Sequence, residues 1–190
     1  RLRASVNAAR QHAADLTASN RVLAQETERL LRASMEDPLT GLQNRRRLDL
    51  NFLDLIASGD SYAIAMIDVD RFKQVNDRFS HPVGDAVLRQ VADFLKHNAR
   101  AGDLTVRFGG DEFAMLLHDA DLAAAVAVCE RLRAGTASFD WRTLHPDLSV
   151  TLSIGVAACD EAETQEAVLA LADQRLYRAK QDGRNRIEAG

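Results

Sequence analysis

Apolar residues recur along this chain with two periods, and the switch between them marks out the elements. Over residues 62–69 both faces of an extended segment are apolar, Tyr62, Ile64 and Met66 on one and Ala63, Ala65 and Ile67 on the other. Such a strand is covered on both sides, which predicts a central place in a sheet. A short polar segment, 70–79, leads to a helix over about 82–98 with Val87, Val91, Phe94 and Leu95 on its buried face. Residues 104–108 and 112–117 read as the arms of a hairpin about Gly109-Gly110, a pair able to take the positive φ angles of a two-residue type I′ turn. A helix is predicted over 121–133. Residues 148–158 then alternate, with Leu148, Val150, Leu152, Ile154 and Val156 opposite Ser149, Thr151 and Ser153. That pattern predicts a strand covered on one side and solvated on the other. A last helix, about 164–181, buries Val168, Leu169, Ala172 and Leu176. The order αβα-ββ-αβα predicts an α/β (α+β sandwich) fold with a mixed central sheet and flanking helices.

The chain upstream is different. Residues 1–36 contain neither Gly nor Pro, and one heptad frame runs through them. Leu2, Ala9, Leu16, Leu23 and Leu30 fall at d, and Val6, Ala13, Asn20, Thr27 and Ser34 at a. A helix of that length would extend about 54 Å. The a positions turn polar after Ala13; a buried Asn at a sets register at a cost in stability, and Ala24, Leu31 and Met35 offer a competing seam. Two readings stand: a solvent-bridging linker helix, or a parallel dimeric stalk with two near-equal registers that an upstream sensor domain toggles. Asp37-Pro38 breaks the helix, since Pro38 drives its predecessor out of the helical region. Two domains are therefore expected, a coiled-coil signalling helix over 1–36 and a globular domain over 37–190. Asn44 is the expected N-cap of the latter's first helix, whose apolar stripe is Leu48, Phe52, Leu55 and Ile56 and which Gly59-Asp60 ends.

Composition narrows the function. Lys and Arg number 24 and Asp and Glu 28, a net charge of −4 over 190 residues, which is wrong for coating nucleic acid. Cys129 and Cys159 are too few for a disulfide scaffold and lack zinc spacing, so a reducing, cytoplasmic setting is the expectation. The chain opens at Arg1 without a methionine and reads as the end of something longer, whose upstream part could tether it to a membrane.

Candidate chemistry lies in two acidic residues. Asp68 ends the apolar row Tyr62, Ile64, Met66, where a carboxylate must reach water or bind a cation. Asp111 lies just past the Gly-Gly turn, so the two converge if the hairpin pairs beside the central strand. Two hard oxygen ligands, completed by water and phosphate, suit Mg²⁺. Taken singly, Asp68 is a cap and Asp111 an ordinary turn acid; the glycines, which let a ligand approach the backbone, favour the pair. A calcium loop starting at Asp68 fails, because its sixth position is Lys73 rather than Gly and no Glu closes it.

Around these residues the sequence closely resembles the GGDEF domain of bacterial diguanylate cyclases. The signature stands as Gly109-Gly110-Asp111-Glu112-Phe113. In order around it come Asp37-Pro38-Leu39-Thr40-Gly41-Leu42, Asn44-Arg45-Arg46, Asp68-Val69-Asp70-Arg71-Phe72-Lys73, Asn76-Asp77, Gly84-Asp85, Ser153-Ile154-Gly155-Val156 and Gly183-Arg184-Asn185. Ser80 departs from the pattern, standing where the family usually has Gly; a stiffer loop without loss of function is expected there. The resemblance implies a fold akin to nucleotidyl cyclases and polymerase palms. It implies condensation of two GTP to cyclic di-GMP between two facing domains, so a homodimer is expected through the N-terminal helix. It further implies two Mg²⁺ per site, with Mn²⁺ as a substitute, bound by Asp68, Asp111 and the backbone carbonyl of Val69. Asp111 is then the acceptor of the 3′-OH proton, and Glu112 shares the site only if the turn twists. Lys73, the Phe72 amide, Lys180 and Arg184 fall on the phosphates, beside Gly109 and Gly110. Asn76 and Asp85 fall on the guanine, with His81 nearby or simply capping a helix before Pro82. Arg100 and Asp103 match an inhibitory RxxD site for the product, with Arg131 in support; the same pair also reads as an ordinary surface ion pair. Two alternatives remain at this stage, a receptor that binds nucleotide without turnover and a cyclase of mixed dinucleotides.

Overall fold

The computed structural model describes residues 17–27, 31 and 34–190. The chain divides into two units, 1–36 and Asp37–Gly190, each considered by itself. In the first, residues 17–27 are helical, with Val22 and Leu23 exposed. Thr27 turns its hydroxyl onto the carbonyl of Leu23 at 2.8 Å. The heptad positions Leu2, Val6, Ala9, Ala13, Leu16 and Leu30 lie outside the described residues.

The second unit is a six-stranded sheet in the order β1-β3-β4-β2-β5-β6. Its strands are β1 (Gln43–Asn44), β2 (Tyr62–Val69), β3 (Leu104–Gly109), β4 (Glu112–His118), β5 (Leu152–Ala158) and β6 (Ile187–Glu188). The helices are α1 (Arg45–Ser58), α2 (Phe72–Phe79), α3 (His81–Asn98), α4 (Leu122–Ser138) and α5 (Gln165–Gln181). β2 is central and buried throughout, antiparallel to both β4 and β5, while the edge pairs β1–β3 and β5–β6 are parallel. Alternation along β2 divides the core. Ala63, Ala65, Ile67 and Val69 face a cluster with Val87, Val91 and Leu95 of α3 and Val128 and Leu132 of α4. Tyr62, Ile64 and Met66 face Leu48, Phe52 and Leu55 of α1 and Val168, Ala172 and Leu176 of α5. The side chain of Ile56 lies outside the described ones.

Side-chain caps set three helix starts, the one at Asn44 as the sequence predicts. Asn44 accepts from the Arg47 amide at 3.3 Å, Asp121 from that of Ala124 at 2.7 Å, and Thr164 from that of Ala167 at 3.2 Å. Gly59 ends α1 with φ +72°. Three local expectations are corrected. The segment 70–79 is not merely polar chain: α2 occupies most of it, a helix of 8 residues with Val75 buried and Phe72 and Phe79 packed against the same core, an i, i+3, i+7 stripe. β5 begins at Leu152 and is buried on both faces, because α5 covers the side that carries Ser153, Gly155 and Ala157. A Cβ on Gly155 would stand 2.1 Å from the Ala172 carbonyl and 2.2 Å from the Leu176 amide, so the helix backbone lies directly on the strand. The hairpin turn is also shifted, as described below.

Two features outside the core carry measurable consequences. Arg175 of α5 is buried and donates to the Val156 carbonyl at 2.8 Å and, with both Nη atoms, to Glu161 at 2.8 Å each. The hydrogen bond from Arg175 holds the Glu161 carboxyl below its ordinary value. Its stabilisation is thus complete above the unfolded carboxylate value of 4.5 and is lost as pH falls through the depressed folded value. Glu161→Gln should cost about 2–3 kcal/mol at pH 7, since it strands a buried guanidinium, and the gap to wild type should close on acidification in denaturant melts read from pH 7 to 3. Ser80, between α2 and α3, has φ +95° and ψ 158°, a conformation that belongs to glycine. Ser80→Gly should stabilise the domain by about 1 kcal/mol, read as a rise in Tm of about 2–4 °C.

Candidate active site

Asp68 is the last residue of the row that faces α1 and α5, and only 7% of it is exposed. Its neighbour across β4 is Glu112, so strand register puts both carboxylates on one face. The Val69 amide donates to the Asp111 carbonyl at 3.2 Å, bringing the turn residue beside the same strand end. Lys180, in the last turn of α5, donates to Asp68 Oδ2 at 2.6 Å. Burial pushes the Asp68 carboxyl up to about 6; Asp111 and Glu112 add to the rise and Lys180 opposes it. Two further carboxylates thus act on Asp68, whose one hydrogen-bonded cation is Lys180, at the edge of an apolar core. Glu112 needs no twist of the turn to join Asp68. The expectation that strand neighbours diverge was sound, but it assigned the aligned position to Asp111 when register gives it to Glu112.

The turn itself explains the shift. β3 runs through Gly109, which pairs with Glu112, and Phe108 is the extra residue of a β-bulge between Arg107 and Gly109. Gly110 and Asp111 therefore make the loop, and of the two only Gly110 has a positive φ, +53°, so the turn is not type I′. Arg107 holds it: Nε and Nη2 donate to the Gly110 carbonyl at 3.0 and 2.7 Å, and Nη1 reaches both oxygens of Asp37 at 3.1 Å. Burial alone would raise the Asp37 carboxyl, but hydrogen bonds from Thr40 and Arg107 hold it below its ordinary value. The Arg45 guanidinium stacks over the Phe108 ring at 4.6 Å. Asp37 and Arg107 escaped sequence reasoning, which read Asp37 as a helix break.

Past β2 the chain passes Arg71 at φ +56° and enters α2, so Phe72 and Lys73 are its opening residues, with amides that have no intrahelical acceptor. Lys73 is exposed and Phe72 half-buried. Asn76 of α2 lies against Gly84 of α3: a Cβ there would fall 2.0 Å from its Oδ1. Gly84 therefore lets the two helices cross closely enough to set Asn76 beside Asp85, both half-buried. His81 is the exposed first residue of α3. Arg184 lines a cavity of about 340 Å³ with Asp70, Arg71, Gln74 and Asn185. Asp70, buried, was also overlooked; it accepts from Thr151 Oγ1 and Ser153 Oγ at 2.6 Å each and from the Asn185 amide at 3.0 Å.

The residues read as a product site lie elsewhere. Asp103 organises its own turn: Oδ2 accepts from the Arg100 amide at 2.8 Å and Oδ1 from that of His118 at 3.2 Å. Arg131, exposed on α4, donates to the Ala127 carbonyl at 3.4 Å. Among the described residues no hydrogen bond or ion pair joins Arg131 to Arg100 or Asp103.

Among the described residues no three His, Cys, Asp or Glu side chains form a ready ligand cage. The donor set at the end of β2 nonetheless fits a hard divalent cation. It offers carboxylate oxygens in surplus over cationic partners, beside a backbone carbonyl, and Mg²⁺ takes few protein ligands and completes its shell with water and phosphate.

Comparison with known proteins bears on this geometry. The response regulator PleD of Caulobacter vibrioides is 42% identical over 164 residues, covering 83% of this chain and 36% of PleD. Diguanylate cyclase DgcP of Pseudomonas aeruginosa is 42% identical over 159 residues, covering 82% of this chain and 24% of DgcP. This chain therefore spans between about a quarter and two-fifths of the curated relatives it matches. The solved coiled coil and GGDEF domain of DgcB from Caulobacter crescentus, in complex with c-di-GMP, superposes with a TM-score of 0.83 at 29% identity, covering 94% of this chain and 97% of that one. Among the described residues no helix is long and apolar enough to cross a membrane. The profile of the diguanylate cyclase GGDEF domain matches residues 34–186, and a match of that extent assigns the chain to the GGDEF domain family of diguanylate cyclases.

Proposed function

We propose that this chain condenses two GTP molecules into cyclic di-GMP and two pyrophosphates. The observation that carries the reading is the convergence of Asp68, Asp111 and Glu112 at the end of β2, where the charges of the latter two act on Asp68 and Lys180 is hydrogen-bonded to it. Two Mg²⁺ ions held by Asp68, Asp111 and the Val69 carbonyl, with Mn²⁺ as a substitute, would supply the Lewis acidity that activates a ribose hydroxyl and balances a leaving pyrophosphate. The residues do the rest. Asp111, in the loop, accepts the proton of the attacking 3′-OH as its oxygen bonds to the α-phosphorus of the facing GTP. The α–β P–O bond breaks, and pyrophosphate leaves. Glu112, on the face of Asp68, completes the carboxylate set.

Lys73 and the opening amides of α2 meet the phosphates where negative charge builds up. Lys180 gives a point charge and Arg184 a fork onto the triphosphate. Asn76 and Asp85 read the guanine: a carboxylate accepts from N1–H and the 2-amino group, which adenine does not offer in that arrangement. His81 stands at the rim of that subsite, and Gly109 and Gly110 leave room for the nucleotide. Each domain holds one GTP, so two must face each other, and the exposed Val22 and Leu23 of the N-terminal helix support pairing there, under an upstream sensor domain. Arg100, Asp103 and Arg131 take the product. The DgcB structure, solved with c-di-GMP, supports a product-binding surface, and SiaD, solved with its activator SiaC, supports control by a partner.

Incubated with Mg²⁺ and GTP, the chain should form cyclic di-GMP, with ATP a poor competitor and with specific activity falling on dilution. Asp111→Asn should lower kcat by roughly a hundredfold or more, a larger loss than the accompanying weakening of Mg²⁺-dependent GTP binding. GTP binding without any cyclic di-GMP in the wild type would make the chain a receptor instead. Arg100→Ala should relieve inhibition by added cyclic di-GMP; inhibition equal to that of wild type would reject the second site.

A further inference from the structure

The connection from α5 to β6 is the least relaxed stretch of backbone near the site. Gly183, Arg184 and Asn185 follow one another at φ +116°, +65° and +46°. Glycine accepts such angles freely and asparagine tolerates them, but arginine does so only when its surroundings impose it. Two side chains from outside the connection impose it. Asp70 accepts from the Asn185 amide at 3.0 Å, anchoring the loop to the end of β2. Arg133 of α4 reaches across from 52 residues away, its Nη1 donating to Asn185 Oδ1 at 2.8 Å and to the Asn185 carbonyl at 3.4 Å. The loop is closed behind by the Arg184 amide, which donates to the Ala179 carbonyl at 2.9 Å.

Arg133 is suited to this task by how it is held. Its Nε donates to Glu130 Oε2 at 2.8 Å and its Nη2 to Oε1 at 2.5 Å, a fork that fixes the plane of the guanidinium and leaves Nη1 aimed at Asn185. Arg131, two positions earlier, instead bonds its own helix. The wall of the 340 Å³ cavity beside α2 includes Gly183, Arg184 and Asn185, so whatever fixes these three fixes where Arg184 stands over the cavity.

We propose that Arg133 is a positioning residue for the nucleotide, holding Asn185 so that Arg184 is presented in advance to the triphosphate. The inference rests on the GTP reading of the site, with Arg184 on the phosphates. Presentation in advance saves the bound state the ordering of a mobile loop, so loss of Arg133 weakens binding without touching the groups that react.

Binding of a non-hydrolysable GTP analogue with Mg²⁺ to the full chain, followed by calorimetry, tests this together with steady-state kinetics. Arg133→Ala should raise Kd and KM about fivefold with kcat within twofold. Arg133→Lys should behave like the alanine variant, because an ammonium keeps the charge but cannot span Glu130 and Asn185 together. Asn185→Gly, which removes the acceptor side chain and accepts the positive φ of this position, should reproduce the effect if Arg133→Ala proves unstable. Adding Arg133→Ala to Arg184→Ala should cost nothing further, as both act through one guanidinium. Wild-type affinity in Arg133→Lys would reduce Arg133 to a charge near the site and overturn the proposal. So would effects of Arg133→Ala and Arg184→Ala that multiply. If Arg184→Ala weakens binding and neither Arg133→Ala nor Asn185→Gly does, only this inference falls; if wild type fails to bind the analogue, the GTP reading falls with it.

Discussion

A carboxylate buried at the end of an apolar strand row is the constraint around which this domain is arranged. Asp68 cannot be left there alone, since an uncompensated buried charge costs far more than the stability of a small domain permits. The fold answers from three directions. Lys180 comes from the end of α5, the Asp111 turn from the β3–β4 hairpin, and Glu112 from the register of β4 against β2. One cation against three carboxylates leaves the Asp68 carboxyl raised to about 6. The site therefore holds an excess of negative charge, which the proposed divalent cation would relieve.

Close approach of helices to the sheet and to each other is the means of delivery. Gly155 lets the backbone of α5 lie against β5, and without that contact the last turn of α5 would not bring Lys180 to Asp68. Gly84 does the same between α3 and α2, seating Asn76 next to Asp85. The costs appear as backbone strain at Arg71, Ser80 and Arg184, all at positive φ and all around the site. Rigid strands and caps elsewhere support these residues, and the Asp37–Arg107–Gly110 chain ties the start of the domain to the turn that carries Asp111.

Much of this was legible from the chain alone. The double-sided apolar pattern of 62–69 predicted a central strand, and Asn44 announced its helix as a cap. These signals are local: a period or a side chain reports on neighbours within a few residues. The solvated face expected of β5 was wrong because Ser153, Gly155 and Ala157 are small to admit a helix rather than polar to meet water. Small residues read alike in both settings until the partner is known. Helix α2 was read as polar chain although Phe72, Val75 and Phe79 stand at helical spacing, because the polar residues between them outnumber the apolar ones in so short a segment.

What the sequence determined by itself is the inventory: the order of elements, the pairing of Asp68 with the hairpin acids, and the family that uses them. Only the tertiary structure decided which acid faces which. A single bulge at Phe108 moved the loop to Gly110-Asp111, and the unbroken register of β4 against β2 gave Glu112 the place across from Asp68. Asp70, Arg107 and Asn185 each bond a partner between 52 and 115 residues away along the chain, and no local pattern encodes a contact at that separation. Packing alone brings them together.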